Sequence, residues 1–187
     1  MVNEDGGETT IQLGELHASH PGLTEVTAGS FCEAACVCLD KFHKSPAQIK
    51  VDIDGETSKH PLVWDAATQQ VRNSQANDID AARDGAYAVS LACAEKRLGL
   101  VAIARAEQGS GADWYVAAIG EGYDEWGAPD LDCPSVRRFE VTGTKQRSVQ
   151  AGLNTKLSQL EDGASTIRGL AASVRFKDPI VKIGSQD

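Results

Sequence analysis

Apolar and charged residues alternate at helical spacing from Ala28 to Phe42, with Thr27 or Ser30 placed to cap the segment and Ser45-Pro46 to end it. Gln48 to Ile53 changes to strand alternation. Asp54-Gly55 is a turn dipeptide leading into a second short strand around Pro61 to Trp64, so the pair predicts an N-terminal hairpin. The polar stretch Thr68 to Ala76 reads as a loop. Asp78 to Leu98 carries the clearest helical signal: Asn77 suits the N-cap, Asp78 and Asp80 favour the first turn, Lys96 and Arg97 the last, and Gly99 the stop.

Beyond that helix, Leu100 to Ala106 and Ala112 to Ile119 read as strands joined by a turn at Gln108 to Gly111. Gly120 to Pro134 is rich in Gly, Pro and acids and reads as a long surface loop. Val136 to Thr142 predicts a third strand, Gln146 to Leu160 a helix, Leu170 to Phe176 a fourth strand, and Pro179 to Ile183 an added edge. The pattern predicts an α/β (α+β) fold with a central mixed sheet of roughly four to five strands flanked by helices. The expected core order is helix-strand-strand-strand-helix-strand over about 78–176, preceded by the N-terminal helix and hairpin. Residues 1–27 are expected to form a flexible acidic lead and 28–187 a single domain.

Composition narrows the class. A chain of 187 residues can bury a substantial core, but with 5% aromatic residues Ala, Val, Leu and Ile must supply most of it. No apolar run approaches the ~18–20 residues of a membrane span, and Met1 to Thr10 is acidic and Gly-rich, unlike a secretory or transit segment. Five cysteines in a chain of this size suggest a reducing, cytoplasmic setting, with Cys32, Cys36, Cys38 and Cys93 acting as small core residues. The alternative for Cys32, Cys36, Cys38 and His43 is a zinc site, although the spacing departs from the usual paired knuckles. The net charge of -9 is uneven: residues 1–134 hold 9 Lys/Arg against 22 Asp/Glu, whereas 135–187 hold 9 against 5. That asymmetry suits one local basic face on an acidic protein.

Strand alternation puts Asp113, Tyr115 and Ala117 on one face and Trp114 on the other, and groups Arg138, Glu140 and Thr142 opposite Phe139 and Val141. An acid beside an apolar stripe is costly without a partner, so Asp113 and Glu140 on neighbouring strands are candidates to share a divalent cation. On the following helix Val149, Leu153, Leu157 and Leu160 form a stripe with Lys156 near its middle. Lys156 either reaches these acids or lays its stem on the core and its ammonium in water.

The order of elements, with Asp113 early in the second core strand and Glu140 in the third, resembles the core of the PD-(D/E)XK nuclease superfamily over about 78–176. The stretches Gly109 to Tyr115 and Arg138 to Gly143 are also similar to uncharacterised bacterial proteins placed near that fold. The resemblance implies a catalytic set of Asp113, Glu140 and Lys156, with Asp113 and Glu140 holding Mg²⁺ and Asp84 as a possible accessory acid, Glu95 behind it. Thr142 stands where the family pattern has lysine. Lys156, or secondarily Lys145, would have to replace it.

Arg138, Lys145 and Arg147 are candidate nucleic-acid contacts, and Trp126 in the acidic loop is placed to stack a base or meet a partner. The expected function is a Mg²⁺-dependent DNA or RNA endonuclease of a bacterial defence or restriction system. The alternative is an inactive module on the same fold, an immunity protein, subunit or adaptor with a protein partner in a homo- or hetero-oligomer. No Walker-type loop, dinucleotide glycine fingerprint or serine/cysteine–histidine nucleophile motif is present.

Overall fold

The structure is a computed structural model that describes residues 9–163 and 165–186. In chain order it forms β1 (Ile11–Gln12), α1 (Leu16–Ser19), α2 (Glu25–Asp40), β2 (Ala47–Ile53), β3 (Glu56–Val63), α3 (Gln69–Ser74) and α4 (Asp78–Leu98). The second half comprises β4 (Leu100–Arg105), β5 (Trp114–Ala118), β6 (Arg137–Thr144), α5 (Val149–Asp162), β7 (Gly169–Arg175) and β8 (Ile180–Ser185).

Local chemistry sets the helix ends. Asn77 accepts the Ile79 and Asp80 amides at 3.0 and 3.4 Å, opening α4. Gly99 closes it at φ 65°, a left-handed conformation that glycine adopts without side-chain strain. Thr24 caps α2 by accepting the Thr27 amide, so this helix begins earlier than its apolar pattern suggests and Thr27 lies inside it. The segment expected as a loop at Thr68 to Ala76 contains α3, capped by Thr68. This short helix buries no residue, so it has no apolar stripe for periodicity to detect.

All eight strands join one mixed sheet in the order β1-β3-β2-β8-β7-β6-β5-β4, larger than the four to five strands expected. The strands β4, β5 and β6 form an antiparallel meander; α5 then crosses to β7, which runs parallel to β6. The expected edge strand at Pro179 to Ile183 is instead internal. As β8 it pairs antiparallel with β7 and parallel with β2, joining the N-terminal hairpin to the rest. The expected flexible lead is also partly folded: β1 pairs with β3, and Ile11, Leu13, Leu16 and Leu23 are buried. Met1 to Glu8, the remainder of its acidic portion, lie outside the described residues.

Helices α2 and α4 cover one face of the sheet and α5 the other. Phe139, Val141, Ala172 and Val174 point toward the first layer, and Ala171 packs with Leu153 and Leu160 on the second. Small residues permit close contact where α2, α4 and β6 meet. A Cβ on Gly85 would lie 2.8 Å from the Ala35 backbone, and one on Gly143 would collide with the Ala82 carbonyl. No described helix is long and apolar enough to cross a membrane.

Candidate active site

The antiparallel register of β5 and β6 pairs Trp114 with Phe139 and Tyr115 with Arg138, so one step outward brings Asp113 level with Glu140. Asp113 precedes β5, but its backbone remains tied in: its amide donates to Phe139 O at 3.0 Å and its carbonyl accepts the Ala106 amide at 3.1 Å. The Asp113 carboxylate accepts the Val141 amide through Oδ2 at 2.9 Å and the Tyr87 hydroxyl through Oδ1 at 2.7 Å. Arg105 lies 3.8 Å from the same Oδ1, with its guanidinium over the rings of Tyr87 and Trp114 at 5.0 and 4.7 Å.

Glu140 points toward α5, where Lys156 Nζ meets its Oε1 at 2.6 Å and also donates to Gln159 at 2.8 Å. Both partners in the ion pair are largely enclosed, with 11% and 19% of their side chains exposed. Burial pushes the Glu140 carboxyl up to about 7. Lys156 draws it down, while the neighbouring Asp113 charge pushes it further up. The strand register sets Asp113 and Glu140 opposite each other. Both line a groove of about 560 Å³ with Arg105, Glu107, Gln159 and Asp162.

The structure thus brings Asp113, Glu140 and Lys156 together. Asp84 lies in an adjoining cavity that shares Asp113 and Arg105, and it accepts from Arg83 at 2.9 Å. Glu95 belongs elsewhere, accepting Ser19 Oγ at 2.8 Å and facing His20 at 3.5 Å. His20 is fully buried; its Nδ1 accepts the Ala102 amide at 2.9 Å, and burial lowers its pKa to about 4. Trp114 is buried, whereas Trp126 is 84% exposed in the acidic loop.

Arg138 is not a surface contact for nucleic acid. It shares the face of Glu140 as alternation predicts, but α5 and its following loop cover that face and leave Arg138 1% exposed. Its guanidinium donates to Ile167 O and Ser110 O at 2.9 Å each and to Gln186 at 3.1 Å. Lys145 and Arg147 line a separate cavity beside the start of α5, where Lys145 pairs with Asp78. Thr142 borders that cavity as well.

The proposed cysteine–histidine metal site is not assembled. Cys36 and Cys38 are buried on α2, Cys32 donates to Leu13 O, and His43 Nε2 lies against Phe176 O and Lys177 O at 3.0 and 2.9 Å. Among the described residues no group of three or more His, Cys, Asp or Glu side chains is arranged to hold a metal. In the acid groove Asp113 and Glu140 are the pair that the register sets opposite each other, and Mg²⁺ is commonly held by one or two carboxylates together with substrate oxygens and water. Sequence reasoning missed Tyr87, Arg105 and Gln159. Tyr87 is hidden among the small residues of α4, while Arg105 carries a weak signal as a charge ending an apolar strand.

Comparison with protein-family models, curated proteins and solved structures finds no match to this chain.

Proposed function

We propose that the chain is a nuclease-fold protein that binds Mg²⁺ between Asp113 and Glu140 and acts on phosphodiesters of nucleic acid. The observation carrying this reading is the meeting of these carboxyls in one groove, where Glu140 is pushed up by burial and by the neighbouring acid. A cation between them would relieve that repulsion and, when bound, would supply Lewis-acid polarisation and a more acidic water. Lys156 holds the Glu140 carboxylate in place, and Arg105 presents a guanidinium beside Asp113. A role in a bacterial restriction or defence system belongs to the same proposal.

The test is cleavage of end-labelled DNA and RNA, single- and double-stranded, with Mg²⁺ or with chelator. Cleavage is expected only with Mg²⁺, to be lost in Glu140→Gln and strongly reduced in Lys156→Met, with both variants retaining the wild-type circular dichroism spectrum. Wild-type cleavage by folded Glu140→Gln would reject the assignment.

Specific features favour a second reading, an inactive interaction module. Both Asp113 oxygens already serve Tyr87 and Val141, and Thr142 replaces the lysine of the resembled pattern. Exposed Trp126 in an acidic loop offers an anchor for a protein partner. Calorimetry without Mg²⁺ binding, together with a stoichiometric partner whose association Trp126→Ala weakens, would favour this module over the enzyme.

A further inference from the structure

A second cavity, of about 730 Å³, lies between the starts of α4 and α5 and the ends of β6 and β7. This volume is within the range of small-molecule sites, which runs from about 300 to 1,000 Å³. Lys145, Arg147 and Lys156 line it, against one carboxylate from Asp78. Lys156 is engaged by Glu140, and Asp78 is shared by Lys41 and Lys145. Arg147 is exposed at the wall, and its amide donates to Thr144 Oγ1 at 3.1 Å, fixing the turn that presents it. Thr142, Ser148 and Thr155 add hydroxyls, while Ile79, 81% exposed, supplies apolar surface.

Ser173 gives this cavity its ligand signature. Its side chain lies on the α5-facing side of β7 and lines the cavity; the residue is 0% exposed, and Oγ has no hydrogen-bond partner among the described residues. A buried hydroxyl without a partner is destabilising, so a ligand acceptor would satisfy a need that the surrounding protein leaves open. A Cβ at Gly152 would come within 2.5 Å of Ser173 Oγ, so glycine is what lets α5 lie this close to that hydroxyl.

We propose that this cavity binds a phosphate monoester carried on a nucleoside-sized body. Ser173 donates to the phosphate, Arg147 and Lys145 balance its charge, and the surface around Ile79 receives the attached body. Several acceptor oxygens and a double negative charge match cations and hydroxyls converging from different elements. The shared chemistry fits a free nucleotide or the phosphorylated end of a strand. It does not require the acid groove to be catalytic, since the two sites meet only through the Glu140–Lys156 pair.

The test is calorimetry and thermal denaturation of the full chain with inorganic phosphate, adenosine 5′-monophosphate, and hexathymidylate with or without a 5′-phosphate. Sodium chloride holds ionic strength constant. Phosphate should raise the melting temperature beyond the chloride control, and a phosphorylated probe should bind at least about tenfold more tightly than its unphosphorylated counterpart. Preference for the mononucleotide identifies a free ligand; preference for the oligonucleotide identifies a strand end.

Ser173→Ala should fold with an equal or higher melting temperature yet lose about tenfold in affinity, and Arg147→Ala should also weaken binding. Absence of phosphate-specific binding by wild type, a stabilisation matched by chloride, or unchanged binding in folded Ser173→Ala would overturn the proposal. The cleavage assay separates these outcomes from the activity of the acid groove.

Discussion

Asp113 takes over a strand's hydrogen-bonding task at Val141: its Oδ2 accepts the Val141 amide at 2.9 Å at a point beyond β5. The other carboxylate oxygen accepts the Tyr87 hydroxyl, linking the sheet to α4. One side chain therefore both presents a carboxylate to the groove and satisfies backbone polarity.

Replacement of Asp113 by Ala should cost about 1–3 kcal/mol because the enclosed Val141 amide and Tyr87 hydroxyl lose their acceptor. Urea denaturation checks this expectation. An unchanged midpoint would show that water readily replaces the carboxylate, so loss of activity in Asp113→Ala must be assessed with stability measured alongside.

Glu140 predicts a pH dependence with a defined sign. Its folded pKa, about 7, lies above the ordinary 4.5, so its contribution to stability is fully present below 4.5 and is lost as pH rises through 7. Burial of His20 has the opposite effect, reducing stability as pH falls from 6.5 toward about 4. The wild-type profile mixes both, whereas comparison with Glu140→Gln isolates the acid. The stability of the variant relative to wild type should rise between pH 5 and pH 8, approximately the interval around the folded pKa. A constant difference across that range would mean that Lys156 keeps Glu140 charged throughout.

Arg138→Lys should lose about 1–3 kcal/mol despite retaining charge, because one ammonium cannot reproduce the planar fork serving Ile167, Ser110 and Gln186. Denaturation measures the loss. Equal stability of the two proteins would reject the proposed clamp.

Thiol labelling should distinguish the cysteines. Burial pushes Cys36 and Cys93 up to about 12 and Cys38 up to about 11, whereas a hydrogen bond with Ser135 lowers the Cys133 pKa. In folded protein Cys133 should react first, with Cys133→Ser removing the fast phase and the three buried thiols reacting only upon unfolding. Rapid labelling of Cys36 or Cys38 would contradict their placement in the core.

Short-range order made much of the architecture legible. The Asn77 cap and Gly99 stop bracket α4, while alternation separates Glu140 from Phe139 and Val141 on β6. Lys156 falls among the apolar positions of α5, a pattern equally suited to a lysine reaching water, and the fold turns it onto Glu140. Polar α3 lacked a comparable signal, and the apolar β8 could not reveal from its own residues that it would join two strand groups.

The sequence by itself determined the caps of α4, most strand positions and the side of β6 on which Glu140 projects, because these depend on neighbouring residues and backbone period. Tertiary structure alone decided that Asp113 sits level with Glu140, that β8 is internal and that Arg138 is sealed beneath α5. Those outcomes depend on strand register across the long acidic loop and on the packing of distant segments. Their energies come from contacts between residues far apart in sequence, which a local pattern does not encode.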